Sequence, residues 1–184
     1  VLTAAHCIHS GTIYGRAYRD FKVLPGRNLG ASPFGVCRAR RAHVLAGWTS
    51  ALTEIEARGY DLGALKLDCM VGEDTGWLGV AAPDPAQAGQ TLIVHGYTSD
   101  RAPFGRQWVS EDRLRLLSNL KGFHKADTFG GTRGSPVYIA AEGTTLIGVH
   151  TNGVHGVVAP WSRHNAFKRI TPARIERLAQ WIGE

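Results

Sequence analysis

The sequence predicts an all-β domain that ends in a single helix. Of its 184 residues, 23 are glycine, well above the usual ~7%, and glycine permits the tight turns that join short strands. Runs of β-branched and aromatic residues recur along the chain between clusters of Gly, Pro, Asn and Asp. A helical period of apolar residues is visible only at the C-terminal end. A chain of this length can bury one substantial core.

Short apolar segments bounded by turn residues predict the strands. They are residues 21–24, 36–45, 62–67, 91–97, 107–117, 136–140, 145–149 and 166–170. The cluster Pro83-Asp84-Pro85 divides the chain into halves of similar size, so we place a boundary there. The first half then covers residues 1–85, and the second covers residues 86–171.

The C-terminal helix is predicted over residues 172–183. Thr171 is suited to the N-cap position, and Pro172 fits the first turn because its missing N–H needs no partner there. Apolar residues then follow at the spacing i, i+3, i+4, i+7, which predicts a face that packs on the core. This face consists of Ile175, Leu178, Ala179 and Ile182.

The charge pattern argues against several partners. The formal net charge is +6, but the densest basic run, residues 38–41, would point its side chains to both faces of a strand. Such a run is typical of a solvated edge and not of a nucleic-acid surface. No stretch approaches the roughly 18 apolar residues that a membrane helix needs, and the histidines form no HExxH motif. We therefore expect no nucleic-acid or membrane partner, no cofactor and no metal site.

Three cysteines cannot all pair within one chain. At least one thiol is therefore free or has its partner elsewhere. Cys37 and Cys69 lie in or beside neighbouring predicted strands and could pair. The chain starts without methionine in the apolar residues Val1-Leu2, so we expect a fragment that lacks its true beginning. The missing signal peptide then says nothing about the compartment.

Three segments carry residue types suited to hydrolytic chemistry. His6 follows an apolar strand in the run VLTAAHC, and Asp61 opens an apolar strand in YDLGALKL. A buried carboxylate needs a hydrogen-bond partner, and an imidazole is a suitable one because the carboxylate fixes its tautomer. The glycine-rich segment 127–137 can direct consecutive backbone N–H groups at one point, which is what an oxyanion requires.

Taken in this order, the three segments resemble trypsin-like (chymotrypsin-fold) serine proteases, and most closely the bacterial glutamyl endopeptidases of the staphylococcal V8 type. Residues 147–150 and 169–171 also resemble this branch. The resemblance implies two antiparallel six-stranded-type barrels and a C-terminal helix. The first barrel would be incomplete, because its opening strands and the usual partner of Cys7 precede Val1. It further implies a secreted or periplasmic monomer that acts on peptides or proteins.

By this resemblance, His6 is the general base and Asp61 its orienting carboxylate, while the backbone N–H groups of Gly131 and residue 133 form the oxyanion hole. The family has serine at position 133, where this sequence has Arg133. Arginine is always protonated and is not nucleophilic, so we expect no acyl transfer from the chain as written. Asp61 could instead pair with Arg133. Ser135 is the remaining candidate nucleophile, but we expect its hydroxyl to point away from His6.

The resemblance also assigns a specificity pocket. His150 and Thr128 match the residues that receive an acidic P1 side chain, and both can donate a hydrogen bond to a carboxylate. Asp127 matches the position at which trypsin selects basic side chains, which leaves a basic preference open. Two function classes follow: a serine endopeptidase homologue with a preference for acidic P1 residues, inactive as written, or a pseudoprotease that binds peptides without cleaving them.

Overall fold

The computed structural model describes all 184 residues, which form two compact units, Val1–Trp77 and Leu78–Glu184. The cluster at 83–85, where we placed the boundary, lies within the second unit. Antiparallel sheets make up both units, so the predicted all-β class is confirmed. None of the helices is both long and apolar enough to span a membrane.

The first unit contains a four-stranded antiparallel sheet in the order β1-β4-β3-β2. Its strands are β1 (Leu2–Thr3), β2 (Lys22–Val23), β3 (Cys37–Val44) and β4 (Gly63–Leu67). Because β3 and β4 run antiparallel, the start of β3 lies beside the end of β4, and a disulfide joins Cys37 to Cys69 there. Cys7 carries a free thiol.

Short helices that the sequence does not predict occupy the rest of the first unit. They are the α-helices α1 (Ala46–Ser50), α2 (Glu54–Ala57) and α3 (Gly72–Thr75), with 3₁₀ turns at Ala5–Cys7 and Arg58–Tyr60. Each is too short to show a helical period in its residues. Trp48 of α1 is buried against Ala5, Ala51 and Ala57, and this contact fixes α1 next to the 3₁₀ turn that carries His6.

The second unit contains a larger sheet in the order β7-β6-β10-β11-β12-β9-β8, with β5 paired to β11 in parallel. Its strands are β5 (Gly79–Val80), β6 (Thr91–Tyr97), β7 (Gln107–Arg113), β8 (Leu116–Leu117), β9 (Lys121–His124), β10 (Pro136–Ile139), β11 (Thr145–Asn152) and β12 (Asn165–Arg169). The predicted strand 107–117 is divided into β7 and β8. Two further 3₁₀ turns, Pro85–Gln87 and Ala140–Glu142, also belong to this unit.

The core of the second unit is built around Phe167 of β12, which is fully buried. Its ring lies over Gly122 and Gly148, where an added Cβ would come within 2.0 Å and 2.2 Å of the ring atoms. Glycine at both positions therefore makes room for the aromatic side chain. The buried hydrophobic cluster consists of Leu92, Val94, Leu114, Ala126, Val137, Ile139, Ile147 and Phe167.

The C-terminal helix α4 spans Pro172–Gly183, which confirms the predicted helix. Of its predicted apolar face, only Leu178 is buried, and the other three residues are exposed. Ile175 and Ile182 are 36% and 77% exposed, whereas Arg174 and Trp181 are buried together with Leu178. The Arg174 guanidinium donates to the carbonyl oxygen of Arg169, which pairs one of its donors while its aliphatic stem packs inward. Thr171 occupies the N-cap position without a side-chain capping bond.

Candidate active site

In the first unit, the pairing of β1 with β4 brings His6 and Asp61 together. Thr3 lies opposite Gly63 in the antiparallel register. The end of β1 therefore meets the start of β4. His6 comes three residues after Thr3 and Asp61 two residues before Gly63, so both side chains occupy the same end of the sheet. Residues separated by 55 positions in the sequence thus become neighbours.

Asp61 is buried, and His6 donates to both of its carboxylate oxygens. The backbone N–H of His6 lies 3.0 Å from Oδ1, and its Nδ1 lies 2.8 Å from Oδ2. The imidazole Nε2 is buried and has no hydrogen-bond partner. Asp61 is therefore paired with His6, and the bond at Nδ1 places the acceptor lone pair of the neutral ring on Nε2.

The electrostatics of the pair favour the protonated imidazole. Burial by itself would lower the pKa of His6, but hydrogen bonds to Asp61 and Cys7 and the charges of these groups outweigh it and raise the pKa to about 9. His6 consequently carries a proton at neutral pH. A general base must be neutral to accept a proton, so this pair can act as a base only toward alkaline pH.

We predict that Asp61→Asn lowers the pKa of His6 steeply, because the carboxylate charge that counteracts the effect of burial on this pKa is then removed. Because folding raises the pKa of His6, protonation of this ring stabilises the folded state fully at pH values below 6.5. This stabilisation is lost as the pH rises through about 9. NMR titration of the His6 ring and urea unfolding between pH 6 and pH 10 measure both effects. A His6 pKa near 6.5 in the unmodified chain would contradict the prediction.

In the second unit, the glycine-rich segment forms a tight turn before β10. The backbone N–H of Thr132 lies 3.3 Å from the carbonyl oxygen of Phe129, and the N–H of Ser135 lies 3.1 Å from that of Thr132. Gly131 and Gly134 have φ values of 89° and 93°, in the left-handed region that glycine adopts most easily. Residue 133 lies between these two glycines.

The loop after β6 anchors this turn, a connection that the sequence analysis missed. The Asp100 carboxylate accepts a hydrogen bond from the Gly130 N–H at 2.7 Å, and the Ser99 N–H donates to the Gly130 carbonyl at 2.8 Å. A Cβ on Gly131 would lie 2.6 Å from the Ser99 nitrogen. The close approach of the two loops thus requires glycine at position 131.

Two backbone donors of the turn remain open. The N–H groups of Gly130, Thr132, Gly134 and Ser135 all have acceptors within the protein. Those of Gly131 and Arg133 donate to no group. The Arg133 side chain is exposed and has no ion-pair partner. The residues that the resemblance assigns to the oxyanion hole therefore keep the N–H groups that such a site needs.

Ser135, the substitute nucleophile, points into the second unit. It is 8% exposed, and a Cβ added to Gly96 of β6 would lie 2.2 Å from its hydroxyl oxygen. Its carbonyl accepts from the His150 N–H at 2.8 Å. The side chain packs on β6 while the backbone begins the pairing of β10 with β11, which is a structural role.

The candidate pocket residues differ in their surroundings. The Thr128 hydroxyl oxygen is buried and has no hydrogen-bond partner. His150 is 1% exposed, and its Nδ1 lies 3.3 Å from Nε2 of His124. Asp127 is exposed, and its backbone carbonyl accepts from the Ser110 hydroxyl. The Thr128 hydroxyl and the His150 ring are thus enclosed, while the Asp127 side chain faces solvent.

His124 is a second residue that the sequence analysis missed. It lies on β9, and burial lowers its pKa to about 4, aided by the charge of His164 and opposed by that of Asp112. His124 is therefore neutral at neutral pH and can share one hydrogen with His150. No local sequence motif predicts this contact, because the pairing of β12 with both β11 and β9 brings the two rings together.

Comparisons with known proteins agree with this geometry. Glutamyl endopeptidase of Bacillus licheniformis is 33% identical over 98% of this chain and 56% of its own length. The chain is a glutamyl endopeptidase homologue. A solved Glu endopeptidase structure matches with a TM-score of 0.85 and 22% identity, covering 100% of this chain and 80% of that one. This likeness shows the trypsin-like fold. No protein-family model matches.

A second relative of this endopeptidase homologue carries a name that implies a metal. The extracellular metalloprotease of Bacillus subtilis is 30% identical over 100% of this chain and 55% of its own length, so the chain spans about half the length of the curated relatives it matches. Cys37, Asp68 and Cys69 are close enough to hold an ion. Both thiols are bonded in the disulfide, so these residues do not fit a catalytic metal.

Proposed function

We propose that this serine endopeptidase homologue keeps the base and the orienting carboxylate of acyl transfer but does not cleave peptides as written. The observation that carries the proposal is Arg133 in a turn whose two oxyanion donors remain open, in a chain that still pairs His6 with Asp61. Loss of the nucleophile from a serine protease lowers turnover by about 10⁶. The remaining groups cannot compensate for a loss of this size.

Acyl transfer defines what each remaining residue would do. A nucleophilic hydroxyl gives its proton to Nε2 of His6, Asp61 stabilises the imidazolium that forms, and two N–H groups bind the oxyanion. Nε2 of His6 is unpartnered, so the neutral ring, which forms toward alkaline pH, could accept this proton there. Arginine at position 133 offers no proton that an imidazole could accept and no electron pair for attack.

We further propose that the pocket accepts an acidic side chain. The Thr128 hydroxyl is a buried donor without a partner, and His150 is a buried imidazole. Both can donate to a carboxylate, and an unpaired buried hydroxyl is costly unless a ligand satisfies it. The exposed Asp127 side chain supports this assignment over a basic preference, because an aspartate that selects a basic side chain should be enclosed with it.

The alternative is a pseudoprotease that binds peptides without hydrolysis, and the open donors at Gly131 and Arg133 favour it. We also propose that the protein is secreted. The Bacillus subtilis relative is named extracellular, and the Cys37–Cys69 disulfide is of a type that persists in oxidising compartments.

Labelling with a fluorophosphonate tests the loss of catalysis. We expect no labelling of the chain, because the reagent traps an activated serine. The glutamyl endopeptidase of Bacillus licheniformis serves as the positive control under the same conditions. Stoichiometric labelling that disappears in Ser135→Ala would show that Ser135 is the nucleophile and would overturn the proposal.

A further inference from the structure

Arg133 does more than remove the nucleophile, because it adds a positive charge to a turn with two open N–H donors. We infer that the turn at residues 130–134 is a receptor for the C-terminal carboxylate of a peptide whose last residue is acidic. The acidic side chain in this inference rests on the proposed function, whereas the carboxylate receptor rests on the turn itself.

The first support is the arrangement of the donors. Of the N–H groups in the turn, only those of Gly131 and Arg133 have no acceptor, and Gly131 has a left-handed backbone with φ of 89°. Unpaired backbone N–H groups in turns of this kind can bind anions, although the Thr132 N–H between the two open donors is itself bonded to the Phe129 carbonyl. The Asp100 carboxylate occupies the neighbouring Gly130 N–H, so the open donors are held by a fixed backbone.

The second support is the chemistry of the side chain. A guanidinium matches the two oxygens of a carboxylate and forms stronger hydrogen bonds to a charged acceptor than to a neutral one. A peptide amide presents one neutral oxygen and gains little from the cation. Because Arg133 is exposed and has no ion-pair partner in the protein, it is available to an external anion. The turn should therefore distinguish a free C-terminus from an internal peptide bond.

The third support is the connection between the turn and the pocket. The Gly134 N–H donates to the carbonyl of His150, and the His150 N–H donates to that of Ser135, both at 2.8 Å. These bonds tie His150 directly to the residues after Arg133, and Thr128 precedes the turn by two residues. One terminal residue can thus direct its side chain to Thr128 and His150 and its main-chain carboxylate to the turn.

A neighbouring arginine supplies an alternative source of charge. The Arg101 guanidinium lies 4.7 Å from the ring of Phe129 and 4.5 Å from the ring of Trp108. Stacking on the two rings holds this cation in place, while its charge remains exposed. The experiment must therefore distinguish the contribution of Arg133 to carboxylate binding from that of Arg101.

The test uses four peptides of one sequence that differ only at the end: glutamate or glutamine as the last residue, each with a free carboxylate or an amide. Isothermal titration calorimetry of the chain with each peptide gives the dissociation constants. We expect amidation to weaken binding by roughly tenfold or more, since a hydrogen bond to a charged group is lost. In Arg133→Gln the difference between the free acid and the amide should shrink sharply, because only the two backbone N–H donors then remain for the carboxylate. Arg101→Gln and the exposed Arg177→Gln should retain the difference.

The outcomes separate the inference from the proposed function. Equal binding of acid and amide, or no binding of any peptide to the folded chain, overturns the receptor. Loss of the difference in Arg101→Gln but not in Arg133→Gln also overturns it and assigns the charge to Arg101. Equal binding of glutamate and glutamine peptides with free carboxylates refutes the acidic pocket while the receptor stands. NMR spectra of each variant verify that the second unit is folded.

Discussion

Arg133→Ser is expected to convert the chain, which we propose does not cleave peptides, into an endopeptidase, with a gain on the order of 10⁶ in kcat. The physical reason is that the substitution supplies the missing hydroxyl, while the His6–Asp61 pair and the open N–H groups of the turn are already present. Hydrolysis of matched peptides that differ only at P1 measures the gain. We expect cleavage after glutamate over cleavage after arginine, because Thr128 and His150 can donate to a carboxylate.

The pH profile sharpens this prediction. Since the pKa of His6 is raised to about 9, the rate should increase as the pH rises toward that value and His6 becomes neutral. Arg133→Ala is the matched control and should remain inactive. Adding Asp61→Asn to Arg133→Ser should lower the rate by about 10⁴. A folded Arg133→Ser protein that cleaves neither peptide at any pH would favour the pseudoprotease, and cleavage after arginine alone would assign the pocket to Asp127.

Phe167→Ala is expected to lower the free energy of unfolding of the second unit by about 3 to 5 kcal/mol. Phe167 is fully buried, and its ring fills the space above Gly122 and Gly148. Neither glycine can extend into the cavity that the substitution leaves. Because domains are stable by only about 5 to 15 kcal/mol, a large part of the stability of this unit should disappear.

Urea unfolding followed by NMR signals of the second unit measures this loss. Phe104→Ala is the matched control, since Phe104 is 61% exposed and its removal should change the free energy of unfolding by less than about 0.5 kcal/mol. A loss below about 1 kcal/mol in Phe167→Ala would contradict the role we assign to this ring. Similar losses in both variants would show that burial does not account for the effect.

The sequence analysis found most of the secondary structure because strand and turn signals are local. The segments 91–97, 136–140 and 145–149 all overlap observed strands, since each is an apolar run that ends in turn residues. The strands that it missed, β5 and β9, are two and four residues long. A strand as short as β9, with Lys121 and His124 both buried, shows neither alternation nor an apolar run.

The buried face of α4 shows a different limit. The pattern of apolar residues selected Ile175 and Ile182, yet both are exposed, and the helix buries Arg174 and Trp181 instead. A sequence pattern counts arginine as polar. Only the structure shows that the Arg169 carbonyl oxygen accepts from its guanidinium, and this bond allows the rest of the side chain to be buried.

The sequence by itself determined the candidate chemistry: a histidine and an aspartate at strand ends, and a glycine-rich turn that contains Arg133, at the position that the resemblance to serine proteases assigns to a nucleophile. These are properties of residue types in short segments. Tertiary structure alone decided that Asp61 directs both oxygens to His6, that Asp100 anchors Gly130, and that His124 lies against His150. Each contact joins residues at least 26 positions apart. The physical reason is that strand register brings His6 to Asp61 and His124 to His150, and register depends on the packing of the whole sheet.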